Sequence, residues 1–307
     1  MATRPRIGLA LGSGAGRGWA HIGVLRGLER AGVEIDLLCG TSMGALIGGL
    51  YLAGHLEAVE EWTRSLSTLR ILRYLDFRVA GGGLIGGGRL TSTLDQALGD
   101  TTIEELPKPF AAVATEIPTG HEIWLTQGRL VEALRASFAL PGLFTPVPYD
   151  GHWLVDGALV NPVPVSVCRA FRARLVIAVN LNADIIGKMP GVGGGGGAER
   201  PGEDRDELPA GFGAGRGKAI NSLMRRVIRG GDEGPSLFNV MVSSLGVIQD
   251  RLTRSRLAGD PPDVTIAPRL GHIGLLEFDR AEEIIAEGEA AVERALPFLK
   301  DALTVLG

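Results

Sequence analysis

Val33-Glu34-Ile35-Asp36-Leu37-Leu38-Cys39-Gly40-Thr41-Ser42-Met43-Gly44-Ala45-Leu46-Ile47-Gly48-Gly49-Leu50-Tyr51-Leu52-Ala53 carries a strand signal, a tight turn and an apolar helix in direct succession. Val33 to Cys39 reads as a strand, Gly40 to Gly44 as the turn, and Ala45 to Ala53 as the helix. The turn is a GxSxG motif in the setting that motif requires, after a strand and before a helix. A sharp strand-to-helix turn strains the serine backbone, and flanking glycines provide the space for it. The Ser42 hydroxyl then lies at a helix N-terminus, where backbone N–H groups favour developing negative charge. A plain helix N-cap between two packing glycines is the competing reading of the same five residues. Asp, Glu, Lys and Arg are absent from Leu37 to Leu56, and Gly44 and Gly48 have small-xxx-small spacing. The window is nevertheless not a membrane span, because the turn breaks it and the remainder falls short of roughly 20 residues.

Upstream, Arg6 to Leu11 is a short apolar run, and Trp19 to Arg30 has apolar residues at helical spacing, closed by Gly32. Two strand–turn–helix units in succession predict a parallel sheet covered by helices. Further strands are expected at 110–114, 123–125, 153–155 and 175–180, the last an aliphatic run suited to burial on both faces. Helices are expected at 237–257 and 281–299, with a possible edge strand between them at 263–267.

Between the first strand and helix lies Gly12-Ser13-Gly14-Ala15-Gly16-Arg17-Gly18. Such turns cradle pyrophosphate, but GxGxxG counted from Gly12 puts Arg17 at the last glycine, and counted from Gly14 it puts Trp19 there. Asp36, at about the right distance to hold a ribose, precedes a strand and does not end one. The exposed N–H groups of this loop could instead form an oxyanion hole.

The chain has 307 residues, 45% of them apolar and 21% charged, enough to bury a sizeable core. A net charge of −4 leaves no basic field for nucleic acid. Cys39 and Cys168 lie in apolar stretches and read as reduced, buried residues. Met1 to Arg6 runs into a strand without the apolar stretch of a signal peptide, so a cytoplasmic location is expected. Two stretches read as mobile. Six glycines surround Leu84 and Ile85 in 81–88, a flexible loop or a surface turn, and 187–217 has twelve glycines and three prolines in 31 residues, read as a disordered insertion.

A nucleophilic serine needs a base. His21 falls in the first helix, His55 and His121 flank turns, and His152 sits in a hairpin-like turn, which makes each a poor candidate. His272 alone follows Asp156, giving the chain order of an α/β-hydrolase triad. Too few strands precede Ser42 for that fold, so the order is read as coincidence. Asp156-Gly157-Ala158 follows the apolar run 153–155 and puts a carboxylate at a strand end; a turn cap is the simpler reading of Asp156 alone.

Taken together these segments resemble the patatin-like phospholipases, in particular their compact bacterial members. Leu9 to Leu25 is similar to the family's oxyanion-loop segment, Gly40 to Gly44 to its nucleophile elbow, Arg135 to Val147 to a further stretch, and Asp156-Gly157-Ala158 to its DG[GA] element. The resemblance implies an α/β class, three-layer α/β/α fold with a mainly parallel central sheet. Composition places a glycine-rich disordered insertion over 183–235, and a C-terminal helical portion over 236–307 is expected to pack on the same domain. The resemblance covers most of 5–182, the expected catalytic core, and weakens beyond it.

It also implies a Ser42–Asp156 dyad without a histidine, with Asp156 accepting the serine proton and being partly desolvated. The N–H groups of Gly14, Ala15 and Gly16 would hold the oxyanion, supported by Arg17, Gly40, Gly44 and Gly157, and neither cofactor nor metal is implied. Arg17 would fix the loop or meet an anionic head group, with a helix-start salt bridge as the simpler alternative. Ser13 and Ala15 stand where the family usually has glycine. The implied substrate is a lipid or lysophospholipid, met through peripheral membrane contact, with Leu84 and Ile85 in a lid; the alternative is a lipid-binding or regulatory protein on the same fold. Arg225, Arg226 and Arg229 are the nearest approach to a basic patch, and read as a solvated helix face.

Overall fold

The first two strand–helix units set the centre of the molecule. β1 (Ile7–Leu11) leads through a 3-10 turn at Ala15–Trp19 into α1 (Ala20–Arg30), and β2 (Leu37–Thr41) leads into α2 (Met43–Leu52). The structure, a computed structural model, describes residues 4–66, 83–85, 88–184 and 237–306. The chain continues through α3 (Leu56–Arg64), β3 (Gly83–Ile85), α4 (Gly88–Leu98), β4 (Phe110–Glu116), β5 (Glu122–Leu125), α5 (Leu130–Phe138), β6 (Gly142–Phe144), β7 (Val147–Tyr149) and β8 (His152–Asp156). α6 (Val165–Ala170), β9 (Leu175–Val179), α7 (Leu237–Gly259), β10 (Val264–Ile266) and α8 (Ala281–Leu306) complete it.

β10, β9, β1, β2 and β4 are parallel neighbours in that order, and β4 also pairs antiparallel with β5 and with β8, which pairs with β7. This is the expected α/β fold with a mainly parallel sheet covered by helices. The central strands are buried on both faces, and their side chains alternate between two cores. Leu9 and Leu11 of β1 and Ile177 and Val179 of β9 join the core under α1, α2, α5 and α8. Ala10, Val176 and Ala178 join the opposite core under α6, with Cys39 and Cys168, both free and buried.

β10 lies at the sheet edge beside β9, and α8 lies against α1 at glycine contacts. A Cβ on Gly23 would fall 1.9 Å from the Ile285 carbonyl oxygen, and one on Gly288 would fall 2.2 Å from that of Ala20. The two helices therefore pack backbone to backbone, which ties the C-terminal segment to the first βα unit.

Six elements lie outside the expected strands and helices: α3, α4, α5, α6, β6 and β7, although α3, α4 and α5 are amphipathic. The loop reading of 81–88 is corrected where the chain is described. Gly83–Ile85 forms β3, parallel to β6 with Gly83 opposite Gly142, and Gly88 opens α4; 81–82 and 86–87 lie outside the described residues. The expected disordered insertion at 187–217 and Arg225, Arg226 and Arg229 also lie outside them. Among the described residues, no helix is long and apolar enough to cross a membrane.

Candidate active site

Ser42 occupies the junction of β2 and α2 with φ 57° and ψ −122°, a backbone state that L-residues reach only under strain. The glycines on either side are steric requirements. A Cβ on Gly40 would lie 2.5 Å from the Ala45 nitrogen, and one on Gly44 would lie 2.1 Å from the Leu11 carbonyl oxygen. The N-cap alternative fails, because the Ser42 side chain makes no capping hydrogen bond. Its Oγ donates instead to Asp156 Oδ2 at 2.6 Å.

The sheet itself brings the two residues together. β2 and β8 lie end to end along one edge of β4, with β5 on the other edge. Thr41 pairs with Val113 and Asp156 with Ala114, so residues 115 positions apart in sequence become neighbours at adjacent steps of β4. Gly157 follows directly, and a Cβ there would fall 2.2 Å from the Val113 carbonyl oxygen. Thr115 Oγ1 donates to the Asp156 carbonyl oxygen at 2.8 Å, and the Asp156 N–H donates to the Ala139 carbonyl oxygen at 3.0 Å.

Asp156 is 2% exposed. Burial raises its pKa from 3.8 to about 6, although hydrogen bonds from Ser42 and from the Ala158 N–H act in the opposite direction. The group is therefore ionised at neutral pH and close to the range in which a carboxylate can work as a base.

The glycine-rich loop is pinned on several sides. The N–H groups of Gly12, Ser13, Gly16 and Arg17 donate to the carbonyls of Val179, Pro162, Leu275 and Gly14, respectively. With four of its donors engaged within the protein, the loop has fewer N–H groups left for a pyrophosphate, which weighs against the nucleotide reading. The same observation corrects the expectation for Gly16: its N–H is held by Leu275 at 2.7 Å and is not free for an oxyanion. Gly14 and Ala15 line the cavity beside Ser42. Ala15 adopts φ 46°, the left-handed region that alanine occupies only at a cost.

Arg17 is buried, and its Nε and Nη2 both donate to the Ile273 carbonyl oxygen, 2.7 Å from Nε. Burial lowers its pKa to about 10 against the opposing charges of Glu277 and Asp184. Arg17 thus fixes the loop to the segment before α8, which displaces both the head-group and the salt-bridge readings.

The histidines have other partners or positions. His21 is fully buried with Nε2 2.7 Å from the Gly12 carbonyl oxygen, and burial lowers its pKa to about 4. His152 pairs with Glu116, and His272 lies 2.8 Å from Glu283. His55 stands before α3, and His121 in the turn before β5 is exposed. The triad order ending at His272 is therefore not assembled in space.

Ser42 and Asp156 open on an apolar cavity. Trp19, Leu46, Trp62, Phe138, Leu143 and Phe278 are among its wall residues, and α7 adds Leu245, Gly246 and Gln249. Among the described residues, no group of three His, Cys, Asp or Glu side chains could hold a metal ion. The patatin-like phospholipase family model matches residues 9–169. An uncharacterized NTE family protein of Mycobacterium tuberculosis is 33% identical over 339 residues, covering 96% of this chain and 92% of that one.

The chain belongs to the patatin-like phospholipase family. That family supports lipid acyl hydrolysis as the general activity. The neuropathy target esterase sws of Drosophila melanogaster is 33% identical over 188 residues, covering 59% of this chain and 13% of that one. VipD from Legionella pneumophila aligns with a TM-score of 0.49 at 13% identity, covering 96% of this chain and 67% of VipD.

Within this patatin-like site Ser137, in the Arg135 to Val147 stretch, is a further contributor. Ser137 Oγ accepts from the Ser42 N–H at 3.0 Å and donates to the Val113 carbonyl oxygen at 2.6 Å, tying the elbow to β4. The signal was present in Arg135 to Val147, but a small hydroxyl in a helix has no local feature that marks it as a brace. Leu275, Ile273 and Gln249 were likewise invisible, because only the folded chain brings them to the loop and the cavity.

Proposed function

We propose that the protein is a serine acyl hydrolase that cleaves fatty acyl esters of lipids through a Ser42–Asp156 dyad and an acyl-enzyme. The observation that carries this reading is the 2.6 Å hydrogen bond from Ser42 Oγ to the buried Asp156 carboxylate, made at a strained elbow beside an apolar cavity. An apolar chain is the occupant such walls favour, and its ester end would then lie at Ser42.

Ser42 Oγ attacks the acyl carbonyl carbon while its proton passes to Asp156 Oδ2, and the carbonyl π pair moves onto oxygen. The N–H groups of Gly14 and Ala15 are the loop donors left to hold that oxyanion. Collapse breaks the bond to the alcohol, which leaves with the proton from Asp156, and the acyl group remains esterified to Ser42. Asp156 then takes a proton from water, the hydroxide equivalent attacks the acyl-enzyme, and collapse releases the fatty acid and returns the proton to Ser42. A phospholipid or lysophospholipid held in a bilayer would be met through peripheral contact with the membrane surface.

The test is fluorophosphonate labelling mapped by mass spectrometry, with wild type, Ser42→Ala and Asp156→Asn compared alongside p-nitrophenyl ester turnover. The proposal expects an adduct on Ser42, loss of turnover in Ser42→Ala and a strong loss of both signals in Asp156→Asn. Wild-type protein that neither labels nor turns over esters, with lipid present, would refute it in favour of a lipid-binding or regulatory role.

A further inference from the structure

The side chain of Ser13 is buried to 2% exposure, and its Oγ has no hydrogen-bond partner among the described residues. A buried hydroxyl without a partner forfeits its bonds to water and gains nothing in return, so its presence calls for an explanation. Arg17 Nη1, His21 Nδ1, Arg129 Nε and Asn182 Nδ2 share that condition, but Ser13 is the member of the group that lines the cavity with Ser42, Asp156, Gly14 and Ala15.

Its backbone is also held on both sides. The Ser13 N–H donates to Pro162 at 2.8 Å, the preceding Gly12 N–H donates to Val179 at 3.1 Å, and the Gly12 carbonyl oxygen meets His21 Nε2 at 2.7 Å. The hydroxyl is therefore presented by a fixed scaffold, as preorganised stabilisation of charge requires. The loop meanwhile has one backbone donor fewer than its glycine pattern suggests, because Gly16 is bound to Leu275.

We propose that the Ser13 hydroxyl donates a hydrogen bond to the oxyanion formed from the substrate carbonyl, supplementing the backbone donors of Gly14 and Ala15. This rests on the acyl-hydrolase reading above. The Ser13 proton stays on its own oxygen throughout, so the donor stabilises the intermediate without joining the proton transfers between Ser42 and Asp156. Bonding of this kind strengthens as charge develops, so it acts on kcat and barely on KM.

The experiment is pre-steady-state acylation and steady-state turnover of a p-nitrophenyl ester by wild type, Ser13→Ala and Ser13→Cys, with thermal unfolding and pH–rate profiles on the same preparations. Removing one oxyanion donor lowers kcat by about 100-fold. The expected result is a loss of that order in Ser13→Ala, with KM within about twofold, and an intermediate rate for the weaker thiol donor of Ser13→Cys. The melting temperature of Ser13→Ala should stay level or rise, since no existing bond is removed, and the acid limb of the profile should not move. Wild-type turnover with an equal kcat in Ser13→Ala would overturn the Ser13 proposal alone. A loss of rate accompanied by a lower melting temperature or a displaced acid limb would also overturn it, by assigning Ser13 a structural role. No turnover by the wild type would overturn the parent reading and Ser13 with it.

Discussion

Replacing Asp156 with asparagine should stabilise the protein at neutral pH while it removes activity. The carboxyl group has a folded pKa of about 6 against 3.8 for the ordinary group, so the folded state binds its proton more tightly than the unfolded state. Stability from this group is complete below pH 3.8 and is lost as pH rises through about 6. A gap of about two pK units, at about 1.4 kcal/mol each, makes ionised Asp156 a liability of about 3 kcal/mol at neutral pH. Asparagine does not titrate, and its amide can still accept from the Ala158 N–H and donate to Ser42 Oγ. The assay is urea unfolding of wild type and Asp156→Asn from pH 5 to 7.5, and the quantity read is their difference, in which the other carboxylates cancel. Linkage predicts that the advantage of the variant grows by about 1 kcal/mol over that interval. Parallel curves would refute the reasoning, because they would mean that Asp156 titrates alike in the folded and unfolded chains.

The same protonation should appear in catalysis: kcat/KM should fall about tenfold per pH unit below about 6, and a profile flat down to pH 4 would remove Asp156 as the base. Gly44→Ala should cost at least about 2 kcal/mol in urea unfolding and abolish fluorophosphonate labelling, because its Cβ would lie 2.1 Å from the Leu11 carbonyl oxygen in a backbone-to-backbone contact. Ala15→Gly should relieve the left-handed conformation at φ 46°, a gain of about 1–2 kcal/mol set against about 0.4–1 kcal/mol of added unfolded-state entropy. The net expectation is a small rise in melting temperature, and a fall would show that the Ala15 methyl group contributes packing that outweighs the strain.

What could be read in the sequence was what is local. Gly40 to Gly44 is contiguous, and the apolar runs of β1, β2 and β9 are dense because both faces of those strands are buried. Their order along the chain was enough for the parallel sheet. β6 and β7 are three residues each, too short for an alternation to register. The candidate site divides in the same way. Ser42 and Asp156 belong to short motifs, whereas the bond from Gly16 to Leu275 spans 259 positions and follows only from where the segment before α8 comes to lie. The family resemblance offered three loop donors, and a distant carbonyl withdrew one. His21 shows the opposite case: a helix position suggested packing, and the folded chain adds that its ring holds the Gly12 carbonyl at the root of the loop.

The distribution of energetic liabilities bears on whether this fold serves catalysis or only lipid binding. An apolar cavity satisfies the needs of a lipid-binding protein, and nothing in that task calls for strained or desolvated polar groups at its wall. Yet Ser42 at φ 57°, Ala15 at φ 46°, the buried carboxyl of Asp156 and the unpartnered hydroxyl of Ser13 all line one cavity. Each opposes folding, and each has a use in acyl transfer: an exposed nucleophile, a shaped oxyanion loop, a base with a raised pKa and a spare donor. Strained or unpartnered groups also occur elsewhere, at Asp150, Arg172, Arg129 and Asn182, but these four line the one cavity on which the Ser42–Asp156 pair opens. The two readings therefore differ in what removing the liabilities does. If the protein is a hydrolase, substitutions that relieve them at Asp156 and Ser13 raise stability and lower turnover together; if it only binds lipid, the same substitutions raise stability and leave lipid affinity unchanged, with no turnover to lose.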